Sequence, residues 1–587
     1  MLPPKIEGGS LPGSSGVGSF EGDPYLSERG PSGWSTALAG PSGDEATLAV
    51  PASNSPDQGY SFWSAKGEGP LVINERRTEY LHYPDGHSEI IGRGSLGFDP
   101  IAEGRLITEN AMHVVFQTIN LAPTAAEQLE PNAPPSGIEA VYDRTIDPAT
   151  GTEQTHVVSL LPGDETPNQS ATYLGASADG EGIAFAIGAN PEGVGGTLYL
   201  RKDNAVTYEI GEDVEFAGVS DGGERIFYLE DGNLFAFDTS SEEVIPFSSS
   251  GDVTAVNVAP QGTRAYFVSP TVLTGESNSN GDFGQFGEQN LYLSAEGEIS
   301  YVGTVTDLDV DGAPGLGRWT KGAQRRPAED PSRLTPDGSV LIFQSRANLT
   351  GYDSGDFPQV YRYDSNAGRL HCLSCPPTGA AASGGASIQS NASGEGHPAP
   401  LSPVGFTASL TPDGKRAFFE SKEALVSQDT DEVQDVYQWE EEGTGTCKEA
   451  GGCVHLITSG RSATDNYLYA HSTDGRDVFF TTSDVLTGDD PGGTVSIYDA
   501  RINGGFAKQA PAGECLGEAC QPVVSAPNDP SPTSASFRGQ GNVKEPSKAR
   551  RCPSGKRQVK RQGKPRCVKK KQRQRKRANS RSRRTSK

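Results

Sequence analysis

The residues of this chain that could do chemistry are its cysteines, a few acidic loops and a basic terminus. The eight cysteines fall as close neighbours: Cys372 with Cys375, Cys447 with Cys453, Cys515 with Cys520, and Cys552 with Cys567. An even count in local pairs, each within one loop or hairpin, predicts disulfides in an oxidising compartment. His371 precedes the first pair in LHCLSC, so zinc competes there, but a zinc site needs a second ligand pair and the local sequence supplies none. A redox reading of Cys372 and Cys375 fails because no helix follows. Closing the loop between Cys552 and Cys567 would contribute roughly 3 kcal/mol to local order.

Asp307, Asp309 and Asp311 in TDLDVDG have the alternate spacing that wraps carboxylate oxygens around calcium. Arg318 stands at the twelfth position, where a complete loop places Glu, so the full motif is absent. These three are the candidate metal ligands and calcium the candidate cofactor, against the competing reading of a solvated acidic turn. Other acidic loops, with Asp353 and Asp356, with Asp429, Asp431 and Asp435, and with Asp489 and Asp490, read as solubility devices.

Catalytic constellations are absent from the pattern. There is no Gly-x-Ser-x-Gly elbow and no accompanying hydrolase region, and the eight histidines are scattered. SPDQGYSF from Ser55 fits the Asp box of sialidase-like propellers, a structural turn that catalyses nothing. The sequence therefore predicts a chain that is not an enzyme, with no catalytic residue assigned.

Charge divides the chain in two. It has 587 residues with 50 Lys and Arg against 76 Asp and Glu. From Lys544 onward stand 21 cationic side chains and one acid, Glu545, so the tail carries 20 positive and the preceding 543 residues 46 negative charges. Such a tail binds polyanions with an affinity that falls steeply with salt. No aromatic is interleaved, which removes the base-stacking expected of a single-strand binder. Lys569, Lys570, Lys571, Arg573, Arg575, Lys576 and Arg577 are the candidate polyanion contacts, and an anionic wall polymer or membrane surface is the expected anion; folding back onto the acidic body is the competing reading.

The elements that must carry these residues are strands. Hydrophobic residues make up only 34%, and Gly and Pro together about a fifth of the chain, which disfavours long helices. Internal repetition is visible. TPDGSVLIFQS from Thr335, TPDGKRAFFES from Thr411, STDGRDVFFTT from Ser472 and APQGTRAYFVS from Ala259 share one pattern. A leucine follows twelve residues after the turn residue, at Leu273, Leu349, Leu425 and Leu486; in three copies an aromatic follows twelve further on, at Tyr361, Tyr437 and Tyr498. Four divergent copies extend the series, and across all eight the sixth position holds Trp63, Phe116, Phe185, Phe227, Phe267, Phe343, Phe419 and Phe480. Each unit reads as an Asp-Gly turn, a doubly covered strand, a variable loop, then strands such as NLYLSAEG and EISYVG. A Thr- or Ser-rich strand ahead of the turn, such as GFTASLT before Asp413, completes four, the count of a propeller blade.

The Ser/Thr-Pro-Asp-Gly pattern leading into Phe-Phe-x-Ser resembles the WD40-like repeat of the TolB type of β-propeller, over residues from about 45 to 510. The resemblance implies an exported protein and an interaction platform. The fold expected is all-β: a propeller of seven or eight four-stranded blades, eight by repeat count, with a disordered basic C-terminal tail. The expected segments are 1–44, Gly-, Ser- and Pro-rich with a partial blade; 45–524, the propeller; 525–547, a Pro- and Ser-rich linker; and 548–587, the polybasic tail. DPYLSERGPSGWSTALAG from Asp23 reads as the outer half of a blade with no inner half before it; either it closes the ring by joining another blade or upstream sequence is missing, and the second is the expectation, since it would also explain the lack of a secretory signal. No apolar run approaches the roughly 18 residues of a membrane span.

The function expected is a binding scaffold at the cell surface, its ring engaging a protein or glycan partner and its tail an anionic envelope polymer. Two alternatives stand beside it: a glycan hydrolase or lyase working in the central channel, and an intracellular nucleic-acid scaffold.

Overall fold

The computed structural model describes residues 25–504, apart from short stretches of which 119–127, 312–331 and 389–408 are the longest, and residues 552–561 and 564–570. The chain divides into two units, 1–534 and 535–587.

The first unit is a β-propeller. Among the described residues it holds seven four-stranded antiparallel sheets, each in sequential strand order, and one three-stranded sheet. They are numbered here as blades 1 (48–90), 2 (103–157), 3 (171–212), 4 (215–246), 5 (255–305), 6 (332–372), 7 (386–456) and 8 (467–501). The eight aromatics picked out by spacing all lie on the second strand of their blades, and none is more than 2% exposed. In seven of the eight blades that ring faces a tyrosine directly across on the third strand, as in Phe343 with Tyr361 and Phe419 with Tyr437. Blade 4 has Ala236 opposite Phe227, and Phe247 fills the space edge-on with centroids 5.0 Å apart. The cores merge between neighbours: one cluster joins Phe227 of blade 4 to Phe267 of blade 5, and another joins Leu291 of blade 5 to Phe343 of blade 6.

The tyrosines explain the repeated leucine. In blades 1, 5, 6, 7 and 8 the hydroxyl reaches into the loop after the second strand: Tyr361 donates to the Ala347 carbonyl at 2.8 Å, and Tyr292 donates to Thr271 at 2.9 Å. The amides of Leu273, Leu425 and Leu486 donate back to the hydroxyls of Tyr292, Tyr437 and Tyr498. The twelve-residue spacing thus marks where the loop crosses the hydroxyl. Tyr361→Phe removes one of the two bonds that the half-buried Ala347 carbonyl accepts, the other coming from the Leu349 amide at 3.0 Å, and is expected to cost about 1 kcal/mol, read as a lowered thermal midpoint; a variant as stable as the parent would remove the role given to the hydroxyl.

On the opposite rim the Asp-Gly turns fit into one another. In each regular copy the Ser or Thr hydroxyl donates to the Asp carboxylate, as Thr335 does to Asp337 at 2.8 Å and Thr411 to Asp413 at 2.7 Å. Gly338 and Gly414 have φ of +68° and +69°, and a Cβ on either would lie 2.6 Å from Ala259 and 2.7 Å from Val340 of the preceding blade. Only glycine meets both demands. From blade 3 to blade 8 each blade also sends a cation to a carbonyl of the next blade's turn. The pairs are Lys202 to Gly222, Arg225 to Gly262, Arg264 to Asp337, Arg362 to Gly414 and Arg416 to Asp474.

Blades 1 and 2 are joined differently. Arg144 of blade 2 is 1% exposed and donates to Tyr83 at 2.7 Å, to Glu89 at 2.6 Å and to Glu153.

Three local details differ from the sequence reading. The inner strand of blade 7 is Ala386–Ser387 followed by a single bridge from Leu410 to Ala417, and most of GFTASLT lies outside the described residues. The N-terminal fragment forms a hairpin, Tyr25–Gly30 with Gly33–Leu38, that packs on blade 8, where Trp34 meets Phe479 edge-on and Arg29 lies 3.9 Å from Asp477. The tail, expected to be disordered, contains in the second unit a hairpin of Lys556–Arg561 with Lys564–Lys569.

Candidate functional site

The loop between the second and third strands of blade 7 brings three carboxylates together. Asp429, Asp431 and Asp435 each place an oxygen within 4.8 Å of the others'. Asp435 opens the third strand and is fully buried; Asp429 is 6% exposed. The fold supports one oxygen of each. Asp429 Oδ2 accepts from the Tyr437 hydroxyl, Asp431 Oδ1 from the Val433 amide at 3.1 Å, and Asp435 Oδ1 from the Thr458 hydroxyl and from Asn466 Nδ2 at 2.9 Å. The segment 457–466, which leads from blade 7 to blade 8, closes over the loop. Thr430 donates to the Gly460 carbonyl at 2.9 Å, and the Gln434 amide donates to Asp465 at 2.9 Å.

Among the described residues no lysine, arginine or histidine forms an ion pair with any of the three. Burial, and then the charges of Asp429 and Asp431, push the Asp435 carboxyl up to about 7 against its hydrogen bonds. Burial likewise raises Asp429, aided by the Asp431 charge and opposed by the Tyr437 bond. Charge of one sign is concentrated where little water reaches it.

Asp307, Asp309 and Asp311 occupy a different setting. Asp307–Asp311 is a short helix, so these residues do not wrap a loop around a common point. The Asp309 carboxylate accepts from the Thr306 amide at 2.8 Å, the Ser345 hydroxyl at 2.7 Å and the Arg346 amide at 3.0 Å. It therefore holds the approach to blade 6 in place. Asp307 accepts from Gln289 at 3.0 Å.

Cys372 with Cys375, Cys447 with Cys453 and Cys552 with Cys567 are disulfide-bonded, with Cα atoms 5.6, 5.6 and 5.8 Å apart. Cys515 and Cys520 lie outside the described residues. In the second unit, Cys552–Cys567 closes the basic hairpin, on which Lys556, Arg557, Lys560, Lys564, Arg566, Lys569 and Lys570 are all exposed. Lys556 stands directly across from Lys569, and Arg561 from Lys564. Lys571, Arg573, Arg575, Lys576 and Arg577 lie outside the described residues. Sequence reasoning missed the blade 7 cluster as a site. Its signal, an Asp-x-Asp-x-x-x-Asp run ending at a strand, was present but looked like the other acidic loops.

No protein-family model and no curated protein matches the chain. Solved structures do. They include the tricorn protease, 11% identical over 75% of this chain and 34% of that one with a TM-score of 0.24, and a TolB from Agrobacterium tumefaciens, 15% identical over 50% and 83% with a TM-score of 0.22. An oligogalacturonate lyase in complex with manganese is 12% identical over 68% and 93%, with a TM-score of 0.31. The chain spans about a third of the length of the tricorn protease it matches. The fold is a β-propeller, as its successive four-stranded sheets show. One expectation is corrected: a protease and a lyase stand among these proteins, so the prediction that the chain is not an enzyme does not hold on the ground of fold class. Among the described residues no helix is long and apolar enough to cross a membrane.

Proposed function

We propose that the chain is an exported propeller that binds a protein or glycan partner at its loop rim and is held on an anionic envelope polymer by its basic hairpin. The observation that carries the tethering is the hairpin itself: seven exposed cations on a short ribbon closed by Cys552–Cys567. Like charges directly across a strand pair are unfavourable, and a lone two-stranded hairpin is marginal in water. The ribbon therefore gains most from a polyanion that neutralises Lys556 against Lys569. Residues 548–587 contain no Phe, Tyr, Trp, Leu, Ile or Met, so contact through charge, without insertion of apolar side chains into a bilayer, suits this tail. The disulfides support export.

The test compares the full chain with one lacking 548–587 on immobilised dextran sulfate and on an immobilised phosphodiester polymer. With seven cations engaged, affinity of the full chain should fall about 10³-fold between 50 and 200 mM salt, by analogy with protein–DNA contacts, and the shortened chain should not be retained. Equal retention of the shortened chain would end the tethering proposal, as would binding indifferent to salt.

A further inference from the structure

The repeat supplies an internal comparison for the acidic cluster of blade 7. Measured back from the core tyrosine by eight, six and two residues, blade 7 has Asp429, Asp431 and Asp435. Blade 6 has Asp353, Gly355 and Gln359, blade 8 has Asp490, Gly492 and Ser496, and blade 5 has Gly284, Phe286 and Asn290. The fold's own needs at these positions are met without three charges. In blade 8 Asp490 accepts from Tyr498 as Asp429 does from Tyr437. In blade 6 Gln359 Oε1 accepts from Ser374 at 2.6 Å, the bond that Thr458 makes to Asp435. A neutral amide thus serves the architecture where blade 7 has a fully buried carboxylate.

What the architecture leaves over are three oxygens. Asp429 Oδ1, Asp431 Oδ2 and Asp435 Oδ2 are buried and accept no hydrogen bond. Buried carboxylate oxygens without partners are costly, and such groups are ordinarily paired or coordinate a metal. Two oxygens each 2.3–2.6 Å from one ion can be at most about 5 Å apart, and the carboxylates lie within that limit of one another.

We propose that Asp429, Asp431 and Asp435 bind a calcium ion, each through the oxygen that the fold leaves free. An all-oxygen, carboxylate-rich site selects a hard cation. Calcium accepts irregular coordination completed by carbonyls or water, whereas magnesium demands a near-ideal octahedron and gives up its own water reluctantly. The bound ion fastens the blade 7 loop beneath the 457–466 segment and so fixes the approach to blade 8, because Asn466 and Thr458 hold the same Asp435 from the other side.

The experiment uses the full chain, stripped with chelator and returned to about 0.15 M salt so that the diffuse negative field of the body is screened. Calcium is titrated by calorimetry, and the thermal midpoint is followed with and without it. The parent should show saturable binding and a raised midpoint. Asp435→Gln installs the residue of blade 6, and Asp431→Asn changes only the charge of a partly exposed loop residue. Each should weaken calcium binding at least about tenfold while its midpoint in chelator equals or exceeds the parent's. Absence of saturable binding by the parent, or parental affinity in Asp431→Asn, would overturn the site. Should Asp435→Gln fail to fold, Asp431→Asn decides alone. Magnesium binding as tightly as calcium would overturn the assignment of the ion.

Discussion

Phe419→Ala is expected to destabilise the propeller by about 3–5 kcal/mol, the usual range for emptying a large aromatic from a packed core. The ring is fully buried and stacks on Tyr437 with centroids 5.9 Å apart. It shares one cluster with Ile342 and Val360 of blade 6 and Leu425 and Trp439 of blade 7, so the cavity opens at the contact between two blades. Leu486→Ala is the control, since that side chain is 42% exposed and surface truncations usually stay within about 0.5 kcal/mol. Denaturant midpoints of the two variants measure the difference. A Phe419→Ala cost below that of Leu486→Ala would show that the sixth position of the repeat is not a common core position.

Arg144→Ala is the second change with a large expected effect, about 3 kcal/mol or more. Removing one member of a buried ionic group leaves its partners uncompensated, and here the partners are two carboxylates. Glu89 and Glu153 keep 29% and 28% of their side chains exposed, so water can recover part of the loss, which places the cost at the low end for such groups. The Arg144→Met variant retains most of the volume and separates packing from charge. If it is as destabilised as Arg144→Ala, the ionic contacts to blade 1 dominate. Chemical unfolding reads both, and a loss under about 1 kcal/mol would show that blades 1 and 2 are held by their shared apolar cluster instead.

The ring was legible in the sequence because its spacing is fixed by covalent geometry. An Asp-Gly reversal followed by a doubly covered strand puts the sixth residue in the core whatever the loops do, and eight rings from Trp63 to Phe480 obey this. The cross-strand tyrosine was legible only where the loop length is constant, as for Tyr361, Tyr437 and Tyr498; Tyr292 follows a longer loop and escapes a fixed count. The acidic loops were not separable by composition. Asp307, Asp309 and Asp311 have the better spacing for a cation, yet Val310 is buried between them and a helical turn commits Asp309 to backbone amides and a serine. Asp429, Asp431 and Asp435 differ from Asp353 and Asp490 through what covers them. That cover comes from residues 457–466, about thirty positions downstream.

The two ends of each second strand obey different rules. Where turns interlock, length cannot vary, because one added residue would displace Gly338 or Gly414 from the only space that admits it. At the other end blade 4 joins its second and third strands by 2 residues and blade 5 by 19, with the same pairing beyond. Natural variation, or a deliberate graft, can therefore build a new recognition surface on that side one loop at a time, without renegotiating the geometry of the wheel that carries it.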